Sequence, residues 1–387
     1  MSSGDYCSRN RVQLVRGGKA YFELLHDLVA RARRTIHLQY YIFTEDETGR
    51  SLRDALADAA ARGVSVFLHV DGYASQKISR AFIRELKESG VRFKWFEPLF
   101  RSRKFYFGRR MHHKVVVVDG IYSLVGGVNI SDRYNDMPDS PAWMDMAIYC
   151  EGEISLAAHL LCRKMWGPAA ASGTIDVKRA EQFFAAIPER DYHSVRLRRN
   201  DWVKRKKEIT KSYLQMFLQA EQEILIMCSY FLPGRAIRRA LRMASKRGVR
   251  IRVILAGHSD VMIVKHAERH LYDWLLKYKV EIYEYQRTVL HAKVAMYDHR
   301  WVTVGSYNVN NISAYASLEL NYDVRHRPFA AETRAGLEDI IARDCSRITR
   351  ENYISSTGFF RGIWQRFCFS FISTMLSLFT FYFKQEE

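Results

Sequence analysis

Two short segments of the chain combine a histidine, a lysine and an aspartate at the same spacing, H-x-K-x4-D. The first, residues 112–119, reads HHKVVVVD, and the second, residues 291–298, reads HAKVAMYD. In each segment the histidine and the lysine are two residues apart on a predicted strand, so their side chains point to the same face. An imidazole beside an ammonium group is suited to chemistry on an anionic phosphate ester.

A glycine and an asparagine follow each segment at the same offset. Residues 126–129 read GGVN and residues 305–308 read GSYN. The glycines allow close approach of the backbone to a ligand. A lone histidine on a strand is more often a packed or surface residue, but two matching segments with the same continuation make chance a poor explanation.

These residue types predict cleavage and re-formation of a phosphodiester bond. Lys114 and Lys293 would neutralise the non-bridging oxygens, and the amides of Asn129 and Asn308 would donate to them. One imidazole would attack phosphorus and form a phosphohistidine, and the other would serve as general acid and then general base. The chain has no D-x-D pair and no H-E-x-x-H, so we expect neither a metal nor another cofactor.

Each histidine also needs a partner that fixes its tautomer, and this is usually a carboxylate on the other ring nitrogen. Asp145 and Glu319 lie shortly downstream of the returning strands and are the candidates, with a surface carboxylate as the alternative reading of each. Asp119 and Asp298, which complete the two motifs with His112, Lys114, His291 and Lys293, are expected to hold the turn that follows.

The chain carries an internal repeat about 180 residues apart. Each copy reads as strand, helix, strand, with glycine at the end of the helix. The first copy comprises residues 34–43, 51–61 and 64–70, and the second comprises 223–231, 236–246 and 249–255. Each copy continues to a further strand pair, at 114–118 with 122–125 and at 294–297 with 301–304.

Parallel strands joined by a helix indicate an α/β fold. We expect two similar lobes related by a pseudo-twofold axis, with the site at the seam. The expected boundaries are a first lobe at 1–165, a connection at 166–207, a second lobe at 208–350 and an apolar tail at 351–387.

The composition indicates an anionic partner. Sixty lysines and arginines face 42 acidic residues in 387, which gives a formal net charge of +18. A field of this sign attracts nucleic acid or anionic lipid headgroups, and the charge alone does not choose between them. The six cysteines form no C-x-x-C pair, so a zinc site or a disulfide framework is not expected.

The C-terminal tail favours a lipid. Residues 367–383 are uncharged and rich in Phe, Leu and Ile, and Trp364 and Arg366 precede them. This run is at the lower limit for spanning a bilayer and also suits a helix lying in the membrane interface. A core helix packed on the enzyme is the alternative, and we favour peripheral membrane contact.

The twin motif resembles the phospholipase D superfamily, and within it the bacterial cardiolipin synthases. The resemblance runs from about residue 34 to 324. The softer subfamily signal rests on Gly-Gly at 126–127, Trp143-x-Asp145, Tyr40-Tyr41-Ile42-Phe43 with Gly49, and Tyr230-Phe231-x-Pro233. The resemblance implies that each lobe is a mixed β-sheet flanked by helices and that the two histidines meet across a lobe interface. It also implies that His112 is the nucleophile and that His291 is the general acid and base.

Two departures from that family stand out. Many cardiolipin synthases carry two N-terminal transmembrane helices, and this chain looks like the shorter type without them. After Asn308 the sequence reads VNNI, where relatives often have Leu-Asp, and this difference bears on the acceptor rather than on the chemistry.

The predicted function is therefore transfer of a phosphatidyl group between phospholipids. Phosphatidylglycerol is the expected substrate, with phosphatidylethanolamine as a second candidate, at the cytoplasmic face of a bacterial membrane that the chain contacts peripherally or through its C-terminus. Arg101, Arg103, Lys104, Arg109 and Arg110 are candidates for a basic rim. The alternatives are a hydrolase that releases phosphatidate, a nuclease of the same superfamily, which the apolar tail disfavours, and an inactive membrane tether.

Overall fold

The structure, a computed structural model, describes residues 5–98, 109–168, 174–315 and 317–384. The expected rim residues Arg101, Arg103 and Lys104 and the small-residue stretch 169–173 lie outside the described residues. The chain divides into two compact units. The first unit comprises Met1–Arg198, Val304–Ser306 and Leu318–Arg325, and the second comprises Arg199–Thr303, Tyr307–Ser317 and His326–Glu387.

The first half of the chain alternates strands and helices. The strands are β1 Asn10–Arg16, β2 Thr35–Tyr40, β3 Ser65–Asp71, β4 Arg92–Phe96, β5 Arg110–Met111, β6 Lys114–Val118, β7 Tyr122–Gly126, β8 Met146–Gly152 and β9 Ser194–Asp201. The helices are α1 Lys19–Arg31, α2 Glu47–Ala61, α3 Arg80–Glu88, α4 Glu153–Trp166 and α5 Val177–Ala185.

The second half repeats this alternation. Its strands are β10 Lys206–Lys207, β11 Glu223–Cys228, β12 Arg250–His258, β13 Glu281–Val289, β14 Lys293–Tyr297, β15 Trp301–Gly305, β16 Ser317–Arg325 and β17 Cys345–Ile348. Its helices are α6 Glu208–Gln219, α7 Arg235–Lys246, α8 Met262–His270, α9 Tyr272–Lys277, α10 Asn311–Tyr315, α11 Arg327–Asp344, α12 Arg350–Thr357 and α13 Phe359–Lys384.

The sheet of the first unit is mixed. Its strand order is β1-β8-β7-β6-β2-β3-β4, with β2, β3 and β4 parallel and β6 antiparallel to β2. Every residue of β2 and of β6 is buried. Because strands covered on both faces need apolar side chains on both, the continuous valine run of β6 marks the centre of this sheet.

The second unit repeats the arrangement with β11 in the place of β2. Strand β11 pairs with β12 in parallel and with β14 antiparallel, and β12 pairs with β13 in parallel. The orders β7-β6-β2-β3-β4 and β15-β14-β11-β12-β13 therefore match. The predicted α/β class, with mixed sheets flanked by helices in two similar units, is confirmed.

The equivalence extends to the helix ends. Gly63 and Gly248 follow α2 and α7 with φ of 87° and 89°, in the left-handed region where glycine closes a helix without strain. The preceding arginines are equivalent too. Arg62 donates to the carbonyls of Val29 and Ala30, and Arg247 donates to three carbonyls at the end of α6. Each arginine thus binds carbonyls at the end of a neighbouring helix.

The C-terminal helix α13 has one packed face and one exposed face. Cys368, Phe369 and Ile372 join an apolar cluster with Leu232, Ala267, Leu271 and two further residues of α8. The opposite side exposes a row of large apolar side chains, at Phe360, Ile363, Trp364, Phe367, Phe371 and Met375. Within the described part of the chain, none of the helices combines the length and hydropathy that a membrane span requires.

Candidate active site

His112 lies directly after β5 and is fixed within the first unit on two sides. Its backbone N–H donates to the carbonyl of Leu318 at 3.0 Å. Its Nδ1 lies 2.9 Å from Oε2 of Glu319, whose side chain is fully buried. Glu319 was predicted as a candidate partner of one of the two histidines, and the structure places it on His112.

Ser306 supports Glu319 from the other side. Its hydroxyl donates to the same Oε2 of Glu319, and its backbone N–H donates to the carbonyl of Leu320 at 3.1 Å. Both residues come from the second half of the sequence but belong to the first unit. A carboxylate held by a serine and buried beside an imidazole fixes the ring orientation and favours the tautomer with the proton on Nδ1.

Lys114 is buried on the same strand face as His112. Its ammonium donates to the His112 carbonyl at 2.9 Å and lies 5.1 Å from the ring centre of Tyr41. The Tyr41 ring also meets the His112 imidazole edge-on, with ring centres 4.8 Å apart. Burial, followed by nearby charges such as Asp71, raises the pKa of Tyr41 to about 12, so this ring is a neutral wall of the site.

Asn129 is buried, and its two amide atoms differ in their surroundings. Its Oδ1 accepts the backbone N–H of Ile42 at 3.0 Å. Its Nδ2 is buried and has no hydrogen-bond acceptor among the described residues. Since a buried donor without a partner is costly, this amide group is suited to an acceptor that arrives with the substrate.

Asp145 is buried immediately before β8, against the glycines of the return strand. Its Oδ1 accepts the backbone N–H of Met146 at 2.7 Å. A Cβ atom added to Gly127 would lie 2.1 Å from that Oδ1. The second glycine of the GGVN segment is therefore required by the carboxylate that packs on it.

His291 and Lys293 form the corresponding pair in the second unit. The Lys293 ammonium donates to the His291 carbonyl and to Oγ of Ser229, which is 3.2 Å away. Lys293 is fully buried and His291 nearly so. Ser229 directly follows the β11 residue that pairs with Lys293. Tyr41 directly follows the β2 residue that pairs with Lys114, so Ser229 and Tyr41 occupy equivalent positions.

Asn308 is buried in the second unit but has different neighbours from Asn129. Its Oδ1 lies 3.8 Å from Sγ of Cys228, which is placed to donate to it. Its backbone N–H donates to Oγ of Ser313 at 3.3 Å. The two asparagines therefore occupy equivalent positions and are anchored by different partners.

The motif aspartates anchor the backbone. Asp119 accepts the N–H groups of residues 33, 34 and 35 at 2.8–3.0 Å. Asp298 accepts those of residues 221, 222 and 223 at 2.8–2.9 Å. Burial opposes ionisation of Asp298, but these backbone donors and Arg300 outweigh it, so its pKa is lowered. Each aspartate holds the start of a buried strand, β2 in the first unit and β11 in the second.

Two described residues of the expected basic rim are paired with acids. Arg109 lies 2.6 Å from Oε1 of Glu97, and Arg110 lies 3.5 Å from Oδ1 of Asp71. Sequence reasoning did not single out Ser229 or assign a role to Tyr41 and Ser306. The only signal for the last two was their position inside quoted motifs, the YYIF run and the GSYN segment.

Comparison with known proteins identifies the family. The family described as "Cardiolipin synthase, PLD-like domain" matches residues 25–142 and 213–341. Cardiolipin synthase B of Escherichia coli (strain K12) is 34% identical over 352 residues, which is 88% of this chain and 82% of that protein. The cardiolipin synthase of Halalkalibacterium halodurans is 30% identical over 308 residues, 79% of this chain and 60% of that protein.

Solved structures show the same fold at low identity. A phosphatidylserine synthase of Haemophilus influenzae Rd KW20 superimposes with a TM-score of 0.70 at 13% identity, covering 89% of each chain. A polyphosphate kinase from Porphyromonas gingivalis gives a TM-score of 0.60 at 15% identity, covering 88% of this chain and 49% of that one. The predicted resemblance and the predicted enzyme class, a phospholipase D-type phosphatidyltransferase, are confirmed. This chain belongs to the cardiolipin synthase family with phospholipase D-like domains.

Proposed function

We propose that this chain transfers a phosphatidyl group from one glycerophospholipid to a headgroup hydroxyl of another, with His112 as the nucleophile. The observation that carries the assignment of His112 is its contact with buried Glu319. With the proton on Nδ1 and the carboxylate beside it, Nε2 is the unprotonated nitrogen and has the lone pair for attack.

The reaction has two displacements at phosphorus. In the first, Nε2 of His112 bonds to phosphorus, the bond to the headgroup oxygen breaks, and His291 gives its proton to the departing alcohol. In the second, His291 takes the proton of the incoming hydroxyl, that oxygen bonds to phosphorus, and the phosphorus–nitrogen bond breaks. The chain's acid and base are restored after each turnover.

Lys114, Lys293 and the two asparagines would stabilise the charge on the non-bridging oxygens during both displacements. Support comes from the buried lysines, whose ammonium groups are held at the histidine backbone, and from the unpaired Nδ2 of Asn129. Fixed donors in a buried site stabilise developing charge without reorganisation. Asp119 and Asp298 would act as positioning residues, since their carboxylates bind strand backbone.

We further propose phosphatidylglycerol as donor and acceptor, which would yield cardiolipin and glycerol, with phosphatidylethanolamine as a second donor. The family supports phospholipid substrates in general. The membrane contact would be the exposed row on α13, which is spaced 3, 1, 3, 4 and 4 residues apart and so forms one helix face. Such a face suits peripheral attachment at the interface, which we place on the cytoplasmic side.

Incubation of the purified chain with phosphatidylglycerol vesicles tests the reaction. We expect cardiolipin and free glycerol in equal amounts, with no effect of EDTA, and incorporation from phosphatidylethanolamine when it is added. Phosphatidate without cardiolipin would show that the chain hydrolyses the phospholipid and does not transfer its phosphatidyl group. Cleaved DNA without any lipid product would contradict both lipid reactions.

The membrane contact has a separate test. Phe367→Ser with Phe371→Ser removes two exposed rings of α13 and should weaken sedimentation with vesicles by about tenfold or more. The matched control, Leu218→Ser with Leu160→Ser, removes two exposed apolar side chains elsewhere and should change binding by less than about twofold. Equal losses in the two double variants would contradict a specific role of α13.

A further inference from the structure

Helix α7 presents an arginine face that the reaction does not use. Arg235, Arg238, Arg239 and Arg242 follow one another at helical spacing, and together with Trp274 they line a cleft of about 260 Å³ in the second unit. Residues three, four and seven apart lie on one side of a helix, so the four guanidinium groups form one patch. The helix has five basic residues and no acidic residue.

The patch lacks counter-charges. Among the residues that the structure describes, no carboxylate forms an ion pair with any of the four arginines. Burial and then the charge of Arg235 lower the pKa of Arg238. Arg235 also begins the helix, where a positive charge opposes the helix dipole. This concentration of charge is unfavourable for folding, which indicates a binding role.

The repeat supplies an internal comparison for this face. Helix α2 is the equivalent of α7, with Leu52, Leu56 and Ala59 buried where α7 buries Ile237, Leu241 and Ala244. The four arginines correspond to Arg50, Arg53, Asp54 and Ala57.

On α2 these positions are charge-balanced. Arg53 pairs with Asp54 and Glu85 at 2.7 Å, and Arg50 lies 3.8 Å from Glu45. The same helix therefore folds in the same place without an arginine patch, so packing does not require one on α7.

Trp274 indicates which anion the patch binds. It packs against the core of the second unit and against Tyr278, with ring centres 5.2 Å apart, yet remains partly exposed in the cleft. A tryptophan beside arginines is typical of proteins at the headgroup level of a membrane, where an amphipathic ring and anionic phosphates coexist.

A second cavity extends the patch towards the motif segment. It measures about 390 Å³, shares Arg235 with the first, and is lined by Gly234, Asn310, Asn311 and other residues of the second unit. Asn310 and Asn311 lie two and three residues after Asn308. The arginine patch is therefore continuous with the segment after the second motif.

We propose that the α7 face is a docking site for the phosphate headgroups of an anionic bilayer, separate from the histidine site. The inference rests on the proposed function only in taking a phospholipid membrane as the source of substrate. It adds a charge-dependent contact to the apolar contact of α13. Binding to vesicles needs no turnover, so this proposal and the reaction fail independently.

The test is to give α7 the residues of α2. Arg239→Asp with Arg242→Ala lowers the net charge of the α7 face by three. Binding to phosphatidylglycerol–phosphatidylcholine vesicles, measured by sedimentation, should weaken by about tenfold to a hundredfold. Arg327→Asp with Lys178→Ala makes the same change in net charge at exposed residues that do not line the cleft, and it should weaken binding by less than about threefold. Raising the salt to about 0.5 M should abolish the difference between the two double variants.

Further arms keep the proposal falsifiable. Arg239→Lys with Arg242→Lys should retain binding within about threefold, because a bilayer offers many phosphates and needs no bidentate geometry. His112→Ala should bind vesicles like the wild-type chain. Equal binding by the α2-like variant and its charge-matched control would overturn the proposal. Displacement of the wild-type chain from vesicles by DNA at equal phosphate concentration would overturn it in favour of a nucleic-acid face.

Discussion

The two halves of the chain place a carboxylate beside the strand that returns from the motif, and they make room for it differently. In the second half Ser306 donates to the longer side chain of Glu319. In the first half the corresponding residue is Gly127, whose missing side chain is the space that Asp145 occupies. Serine occurs with glutamate in one half and glycine with aspartate in the other. The residue on the return strand and the carboxylate that packs on it are therefore matched in size within each half.

The same contrast appears beside the lysines. Tyr41 packs on Lys114 and His112 in the first half, whereas Ser229 accepts a hydrogen bond from Lys293 in the second. The duplication thus preserved the strands, the helix caps and the backbone anchors, while the side chains beside the two motif lysines diverged. Divergence of this kind is expected where the two histidines have different roles.

Loss of either imidazole should have the largest effect. We expect His112→Ala and His291→Ala each to lower cardiolipin formation by about 10⁴-fold, since each step needs both nucleophile and acid–base groups. The matched control is His26→Ala, at a half-buried position on α1, which should stay within about twofold. A variant of either motif histidine with near-normal turnover would remove that residue from the mechanism.

Loss of the carboxylate beside His112 should come next. Glu319→Gln keeps the shape but allows the wrong tautomer, so kcat should fall by about 10²- to 10³-fold while KM changes little. Ser306→Ala removes only the supporting hydroxyl and should cost about tenfold in kcat. A rise in KM at constant kcat would show that Glu319 binds substrate and does not position His112.

Exchanging the matched residues should destabilise the chain more at Gly127 than at Ser306. Gly127→Ser forces a side chain onto the Asp145 carboxylate and should lower the free energy of unfolding by about 2–3 kcal/mol. Ser306→Gly leaves a gap and loses a hydrogen bond, at about 1–2 kcal/mol. Chemical denaturation measures both, and equal or reversed losses would contradict the matching of the pairs.

Three buried histidines of the first unit make the stability of the fold sensitive to acid. Burial lowers the pKa of His37 and His69 to about 3 and that of His159 to about 4, and all three lie in the first unit. Below a pH of about 6.5 these imidazoles bind protons in the unfolded chain but stay neutral in the folded chain. The free energy of unfolding therefore falls as the pH drops from about 6.5 towards 4.

The equivalent of His69 in the second half is Ile254. His69→Ile should therefore reduce the loss of stability between pH 7 and pH 5 by about 2 kcal/mol. Urea denaturation at the two pH values checks this expectation. An unchanged pH dependence in the variant would show that His69 is not buried in the neutral form.

Sequence alone predicted the strands that carry chemistry better than the element ends. Strand β6 matches its predicted range, because a short valine run that is followed by a turn is typical of a buried strand. Helix α2 begins at Glu47 rather than at residue 51, because Asp46 caps it by accepting the N–H of Gly49. A polar stretch before a helix hides such a cap in one-dimensional reading.

Strands β2 and β11 also end earlier than predicted. Strand β2 stops at Tyr40 because Phe43 donates instead to the hydroxyl of Ser75, and β11 stops at Cys228 because Phe231 donates to Glu268. These partners lie 32 and 37 residues away in sequence, so a local pattern carries no trace of them. For the same reason the sequence did not show which carboxylate is the partner of His112, since Glu319 is 207 residues away.

The covalent intermediate is the most direct test of the account. The chain would be mixed with short-chain phosphatidylglycerol, quenched in base to preserve phosphoramidates, digested and mapped by mass spectrometry. We predict a phosphatidyl adduct on His112, present in the wild-type chain and absent in His112→Ala. An adduct on His291, or turnover with no adduct on either histidine, would contradict the account.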